Sequence, residues 1–378
     1  MSDGIVRSAI GRIRSPFEGP NTMGNSGVFW VVFFAVVAYF WVYPQLIDPY
    51  TVSQTTKYLA LAVLGLSLSF VWGYSGILSF GQVAFFGVAA YTFGIISINL
   101  SSAVGKTAGM LGAVAVGTLF ALVLGYFMFY GGVRDTYVTI ITLVVALVLN
   151  TFMAQTAGSE WAIGSARLGG FNGMNTPDLV VGFGSTSVQL SGGSPELITT
   201  YYHFVLAALV VTYLALRVLV NSSFGMTMVA IREDEDRTAT FGYNVPFIKL
   251  VVFTIGGALA SLGGVLYVNW GSFIDPSVFA ITFAALPVVW VSVGGRESLI
   301  GVMGATFAIE QMRTSLSAAG TEWAQVIVGA MLLVVILVIP SGIAPLVDRL
   351  FKWALSRLLP YPDESAGKPA ANKAGGDD

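Results

Sequence analysis

The sequence has no cysteine, a single histidine and few charged residues. Without cysteine the chain cannot form disulfides or thiolate metal sites, and it has no cysteine nucleophile. His203 alone cannot make a histidine-rich metal site, and its position at the start of an apolar run is typical of a polar residue at a membrane interface. The net charge of −2 provides no clustered basic surface, so nucleic acid is excluded as a partner.

Charged residues make up only 10% of the 378 residues, whereas soluble proteins carry about 25%. The hydrophobic residues, 55% of the chain, occur in blocks of about 20, the length at which a helix crosses a bilayer. The composition therefore predicts an all-α fold, that of a polytopic helical membrane protein embedded in the lipid bilayer.

About ten apolar runs are long enough to span the membrane. They cover residues 28–46, 58–74, 83–100, 108–130, 137–155, 201–220, 248–268, 278–294, 298–315 and 324–345. With the N-terminus inside, 14 of the 18 Lys and Arg residues fall in cytoplasmic segments and 4 fall outside. Because Lys and Arg concentrate on the cytoplasmic side of membrane proteins, both termini are predicted to be cytoplasmic.

The segments between the spans divide the chain. Residues 1–27 are expected to form a cytoplasmic N-terminal segment, and residues 28–345 a transmembrane domain. Residues 346–378 form a cytoplasmic tail, whose Pro, Gly and charged residues predict partial disorder. Within the domain, an external loop is expected over 156–200 and a charged cytoplasmic loop over 221–247.

The sequence shows no energy source of its own for transport. Lys106 lies in VGKT, but the position that a P-loop fills with glycine is Leu100, so no ATP site is predicted. Ion-coupled carriers place ionisable residues inside their spans. Glu310 and Arg313 are three residues apart near the outer end of a span, where they are expected to pair with each other. Energy for uphill transport would therefore come from outside the chain.

Charge is concentrated in one cytoplasmic stretch, where Arg232 to Arg237 are six charged residues in a row. Just before it, Phe224, Met228 and Ile231 recur at helical spacing on one face. A short amphipathic helix of this kind can dock in a groove of a soluble partner. Charge runs are also common in loops that are merely solvated, and the residues alone leave both interpretations open.

The stretch Gly73–Tyr91, GYSGILSFGQVAFFGVAAY, combines glycine with small polar residues between two spans. Glycine frees the backbone, and broken helices line substrate paths at membrane depth. Ser75, Gly76, Ser79 and Gln82 are the candidates for such a path, and their lack of charge suits a neutral or zwitterionic solute. Tight helix packing, with the hydroxyls bonded to the backbone, is the alternative.

A second glycine motif, GGALASLGG, places Gly256, Ala260 and Gly264 on one helix face. Small residues at this spacing let two helices approach closely. The motif therefore predicts a packing face rather than a functional site.

Four motifs, taken in order, resemble those of a known family. They are GYSGILSFGQVAFFGVAAY, GGFNGM at Gly169–Met174, AIREDEDRTATFGYNVPFIKL from Ala230, and GGRESLIGVMGA from Gly294. Over about 55–345 the chain resembles the membrane-spanning permease subunits of ATP-binding-cassette importers for branched-chain amino acids, in particular the second of their two permease types. The urea and short-chain amide permeases are closely similar.

The resemblance implies a transport subunit of the cell membrane, without enzymatic activity or a cofactor of its own. This chain and a second homologous permease subunit would form the path, two cytoplasmic ATPase subunits would use ATP, and an extracytoplasmic substrate-binding protein would deliver the solute. The coupling residues that it implies are Ala230, Ile231, Arg232, Glu233, Asp234, Glu235 and Gly242. Ala230 and Ile231 would seat in a groove of the ATPase, while the charged residues fix its orientation. Asn172, in GGFNGM, would face the solute from the outside.

The sequence leaves the substrate open among branched-chain amino acids, urea and short-chain amides. An ion-coupled secondary transporter is a different possibility, but it would need a mid-membrane acid or a Na⁺ site, and neither is visible in the sequence. An intramembrane enzyme would need a nucleophile and a base at membrane depth, and the sequence offers no such pair.

Overall fold

The computed structural model describes residues 15–183 and 186–318, together with 326, 329, 330, 333, 342 and 343. The described part consists of helices, with short strands in its loops. The helices are α1 (Gly27–Leu46), α2 (Pro49–Leu68), α3 (Gln82–Asn99), α4 (Ala103–Tyr130), α5 (Asp135–Gln155), α6 (Pro195–Asn221), α7 (Ser223–Glu233), α8 (Glu235–Thr240), α9 (Val245–Gly271), α10 (Ile281–Gly294) and α11 (Leu299–Ala318). The strands are β1 (Ala162–Ile163), β2 (Ala166–Arg167), β3 (Met174–Asn175), β4 (Val180–Phe183), β5 (Thr186–Gln189) and β6 (Phe273–Ile274).

Seven described helices, α1 to α6 and α9, are long and apolar enough to cross a bilayer. They confirm the predicted class of an all-α, polytopic membrane protein. Two further helices, the short apolar α10 and the 20-residue α11, cover the predicted spans 278–294 and 298–315. The predicted span 324–345 lies outside the described residues, apart from isolated positions. The number of crossings and the side on which the termini lie stay predictions.

Helix α2 begins at Pro49, nine residues before the predicted start at 58. The Asp48 carboxylate caps this end by accepting a hydrogen bond from the backbone N–H of Thr51, and proline suits the first helical position. The first turns contain Thr55 and Thr56, which are buried and bonded to the backbone. Hydropathy missed these turns because their polar side chains face the protein rather than water.

The centre of the bundle is α9, which packs against α2, α3 and α4. On α9, a Cβ atom at Gly256 would overlap Val71, and one at Gly264 would overlap the carbonyl oxygen of Phe86. At these two positions α9 packs so closely against its neighbours that only glycine fits. The structure confirms that GGALASLGG is a packing face.

Helix α1 lies at the edge of the bundle and is the least buried of the spans. It is attached to α6, where Tyr202 donates a hydrogen bond to the carbonyl oxygen of Phe40. A ring nitrogen of His203 lies 2.9 Å from the carbonyl oxygen of Trp41. The only histidine of the chain thus has a structural partner.

The connection from α5 to α6 is the predicted external loop, which ends six residues before the predicted limit because α6 starts at Pro195. Two hairpins form within it, β1 with β2 and β4 with β5. Strand β3 instead pairs with β6, which follows α9. This pairing fastens the loop to the end of the central helix.

Candidate functional site

The most irregular backbone in the bundle lies between α2 and α3. Residues Ser69–Gly73 form a π-helical turn, and the helix stops at Ser75. Residues 76–81 are not helical, and Gly76 has φ of +79°, a conformation that glycine adopts without strain. Because π-turns inside helices are frequent at functional sites, this break identifies the segment as a candidate site.

The non-helical backbone is satisfied by threonines of α5. Thr139 donates a hydrogen bond to the carbonyl oxygen of Leu78 at 2.9 Å, and the backbone N–H of Phe80 donates to Thr142 Oγ1 at 3.2 Å. Irregular backbone is tolerated at membrane depth only where protein or water supplies such partners. The hydrogen bonds from α5 thus stabilise the non-helical segment inside the bundle.

The structure gives the path candidates different roles. The Ser75 hydroxyl donates to the carbonyl oxygen of Val71 at 2.6 Å, and Ser79 Oγ accepts from the backbone N–H of Gly81. Both serines therefore serve the backbone, which was the alternative to a path. Gln82 is also buried, and its Nε2 has no acceptor among the described residues. It is the path candidate with a free donor.

Asn172 is exposed in the 3₁₀ turn Gly170–Asn172 of the external loop. It lies on the loop that is fastened to the end of α9, whereas Val71, which accepts the hydrogen bond of Ser75, and Gln82 lie against Gly256 in the first half of α9. The structure therefore does not bring Asn172 together with the other path candidates. The role of all of them in a path stays a prediction.

The charged stretch, predicted to be cytoplasmic, forms two short helices, α7 and α8. Met228 and Ile231 of α7 are buried against the bundle, whereas Ala230, Glu233 and Asp234 are exposed. The apolar face that the sequence predicted is therefore present, and it packs on this chain itself. Ile231 is not free to enter a groove of another protein in this conformation.

Arg232, at the end of α7, points back into the bundle. Its guanidinium donates to the carbonyl oxygen of Gly73 at 2.6 Å and forms ion pairs with Glu297 at 2.9 Å and Glu233 at 2.7 Å. Hydrogen bonds from an ionised donor are about twice as strong as neutral ones. Arg232 thus connects the charged stretch directly to the end of the broken helix.

The turn GGRES is the third part of this arrangement. Tyr74 donates its hydroxyl to the carbonyl oxygen of Glu297 at 2.9 Å, and Ser69 donates to that of Arg296 at 3.2 Å. A Cβ atom at Gly73 would overlap the carbonyl oxygen of Arg296. Three motifs that are far apart in the sequence therefore meet here. We call this contact of Gly73, Arg232 and Glu297 the three-motif junction.

A second ion pair attaches α8 to the central helix. Glu235 of α8 pairs with Lys249 of α9, whose side chain is only 5% exposed. Gly242, which follows α8, has φ of +88° and open space around it. The glycine lies in the turn between α8 and α9, where its left-handed conformation is one that glycine adopts without strain.

The exposed surface of this region is partly apolar, which sequence reasoning missed. Phe241 and Tyr243 are 72% and 52% exposed. We call these two residues the exposed patch. In the sequence these residues appear as FGYN, two aromatic residues around the turn glycine. From the sequence, the contact with a partner was assigned to the neighbouring charged stretch instead.

Comparison with known proteins identifies the family. A family model described as the permease component of branched-chain amino acid transport systems matches residues 50–336. The chain belongs to this family. Of its relatives, the high-affinity branched-chain amino acid permease protein LivM of Escherichia coli K12 is 24% identical over 328 residues, covering 82% of this chain and 73% of the relative.

Other relatives extend the similarity. A probable LivM permease protein of Methanocaldococcus jannaschii is 24% identical, and the match covers 64% of this chain and 73% of the relative. The LivH permease protein of Salmonella typhimurium is 25% identical, and the match covers 75% of this chain and 90% of the relative. No solved structure matches the permease.

Family and fold together confirm the resemblance. The permease is a multi-pass protein of the cell membrane and a transport subunit rather than an enzyme. Within the described residues, no group of three His, Asp or Glu side chains could hold a metal ion. The function of the chain is therefore inferred from the permease family and from the three-motif junction.

Proposed function

We propose that this chain is a permease subunit of an ATP-binding-cassette importer that moves branched-chain amino acids or a similar small zwitterionic solute. ATP would be used by two separate cytoplasmic ATPase subunits. The observation that carries the proposal is the link from Arg232 to Gly73, which joins the charged stretch to the broken helix. A push on α7 would reach the break without passing through a flexible segment.

The ATPase is expected to dock on the exposed patch and the charged side chains beside it. Aromatic residues dominate the binding energy of interfaces, and charges at a rim contribute mainly to specificity and association rate. Phe241 and Tyr243 would therefore be the anchors, with Ala230, Glu233 and Asp234 around them. Ile231, Arg232 and Glu235 would instead transmit movement inward, since they contact this chain's own residues.

The transport path is expected to form with a second homologous permease subunit. The chain is similar both to LivM and to LivH proteins, which carry names of one transport system. An external binding protein would deliver the solute to the loop that contains Asn172. Gln82, buried beside the break with a free donor, is the best candidate for contact with the solute inside the membrane.

The proposal is tested by removing the link and leaving the docking surface in place. In the complete importer reconstituted in liposomes, Arg232→Ala is expected to lower ATP-driven uptake about tenfold or more, because it removes charge-assisted hydrogen bonds at the junction. The ATPase subunits should still co-purify with the permease.

Arg134→Ala is the matched control, because it removes the same charge from an exposed position outside the charged stretch. Normal uptake by Arg232→Ala would refute the coupling role. Uptake driven by an ion gradient, with this chain alone in liposomes, would instead establish a secondary transporter. Uptake of urea or short amides in preference to amino acids would place the chain with those permeases.

A further inference from the structure

A polar cavity of about 200 Å³ lies at the opposite end of the bundle from the three-motif junction. It is bounded by the first turns of α2 and α6, the end of α9 and the external loop. Its size exceeds that of the roughly 150 Å³ cavity that accepts benzene in an engineered protein. The residues used below are Asp178, Gly192, Gly193, Ile198, Asn269 and Trp270.

The cavity carries one negative charge. Asp178 is the charged residue in its lining, and no described Lys or Arg forms an ion pair with it; the Lys57 ammonium lies over the ring of Trp270, 5.3 Å from the ring centroid. Its two carboxylate oxygens accept only long hydrogen bonds of 3.4 Å, from Ser272 and Gln189. Such a carboxylate attracts a cationic donor, such as the ammonium group of a small solute, because hydrogen bonds between ionised groups are the strong ones.

The cavity also contains donors for a negative group. Gly192 and Gly193 lie in its lining, and their backbone N–H groups donate to no acceptor in the described part of the chain. Open space surrounds Gly193. Gly193 is exposed at the edge of the cavity, and backbone N–H groups without an acceptor there can donate charge-assisted hydrogen bonds to a carboxylate.

An apolar wall and a buried acceptor complete the lining. The Trp270 ring is fixed by its Nε1, which donates to Ser53 at 3.0 Å, and Ile198 also contributes to the wall. Asn269 is 2% exposed; its Nδ2 donates to the carbonyl oxygen of Val265, and no described donor serves its Oδ1. A buried acceptor without a donor is rare in folded proteins and marks a place where a partner is missing.

The external loop holds these groups in position. The backbone N–H of Leu179 donates to Ser191 Oγ at 2.7 Å, and the N–H of Thr176 donates to the carbonyl oxygen of Ser272 at 2.9 Å. The chain next to Asp178 is therefore bonded to Ser191, the neighbour of Gly192, and to the end of α9. A pre-formed arrangement avoids the entropy cost of ordering a loop on binding.

From this arrangement we infer that the cavity is an external reception site for a free α-amino acid. Asp178 takes the ammonium group, the N–H groups of Gly192 and Gly193 take the carboxylate, and Trp270 with Ile198 packs against an apolar side chain. The inference rests on the proposed function and narrows it, because urea and short amides carry neither a full positive nor a full negative charge. The site therefore favours amino acids over both.

The experiment uses the complete importer in lipid nanodiscs without its binding protein, and measures direct binding of radiolabelled leucine, isoleucine and valine. Saturable binding of at least one of them is expected. Asp178→Asn should weaken it about tenfold to a hundredfold, because the variant loses a charged hydrogen bond. Glu160→Gln, which removes an exposed carboxylate from the same loop, is the matched control and should bind as the unaltered protein does.

Competition on the unaltered protein tests the inference without any variant. Unlabelled leucine should displace the label, whereas 4-methyl-2-oxopentanoate, 3-methylbutylamine and urea should each compete at least about tenfold less well, because each lacks one or both charges. Equal competition by the oxo acid or by the amine would overturn the assignment. Unchanged binding by Asp178→Asn, or no binding of any of the three amino acids, would overturn it as well.

Failure of the site and failure of the proposed function give different results. If binding-protein-dependent, ATP-driven uptake of leucine is normal in Asp178→Asn, the importer function stands and the reception site is wrong. If the unaltered importer takes up urea or amides and no amino acid, the proposed function itself is wrong.

Discussion

Arg217 is buried in the structure, although its position in the sequence predicts a positive charge at the cytoplasmic surface. Only 1% of the residue is exposed. Its guanidinium donates to the carbonyl oxygens of Phe17 and Gly24, and it lies over the rings of Phe29 and Trp30 at 4.7 and 4.9 Å. Arg217 therefore fastens the segment before α1 to α6.

We expect Arg217→Lys to loosen this attachment. Lysine has no planar fork and cannot reach several carbonyl oxygens at once, so buried acceptors lose their donors and the protein loses about 1–3 kcal/mol. The measurement is thermal unfolding of the purified permease, with proteolysis of residues 15–26 as a local readout.

Arg134→Lys, at an exposed turn, is the control and should leave both readouts unchanged. If Arg217→Lys melts at the same temperature and is cut no faster, the arginine does not hold the segment.

The contacts of Arg232, at the candidate site, also could not be predicted from the sequence. The sequence placed it in a coupling stretch by resemblance, and could not show whether its side chain faces a partner or the bundle. That direction depends on Gly73 and Glu297, which are more than 60 residues away in the chain on either side. Local pattern carries no information on such contacts.

Between elements, the closest contacts are made through glycine. Helix α9 crosses α3 where Gly264 faces the carbonyl oxygen of Phe86. A methyl group there would meet backbone, which cannot turn away as a side chain can. The spacing of small residues in the sequence predicted a packing face, and the structure identifies which helices share it.

Gly264→Ala is therefore expected to destabilise the permease by about 1–3 kcal/mol or more, through overpacking at the α9–α3 crossing. The measurement is the unfolding temperature of the purified protein. Gly271→Ala lies at the end of the same helix with nothing within 4 Å, and should be neutral or slightly stabilising because alanine favours helix.

An unfolding temperature for Gly264→Ala that matches the value for Gly271→Ala would contradict the close crossing.

The break between α2 and α3 was visible in the sequence as GYSGILSFGQ, and the structure places it at residues 76–81. Its glycine content and polar residues indicated an interrupted helix. The π-turn Ser69–Gly73 was not predicted, because its residues are as apolar as those of the helix before it. Only the hydrogen bonds to Arg296 and from Arg232 distinguish that turn.

For the permease as a whole, the exposed patch offers aromatic surface to a partner on the predicted cytoplasmic side. We expect Phe241→Ser combined with Tyr243→Ser to abolish or strongly reduce co-purification of the ATPase subunits, since aromatic anchors dominate interface energies. The permease itself should remain folded, because both side chains are exposed.

Phe171→Ser is the control, since Phe171 is a phenylalanine that is 81% exposed on the external loop. Full co-purification of the ATPase subunits with the double variant would show that they dock elsewhere.

Composition and apolar run length were enough to predict the membrane class and the approximate spans, because these follow from solubility and bilayer thickness. The ordered motifs were enough for the family. The packing of distant segments decided the rest: Arg232 meets Gly73 and Glu297, and Asp178 joins Gly192 beside Trp270, only after the helices are in place. Contacts of that kind arise from the three-dimensional arrangement of elements, and no local spacing specifies them.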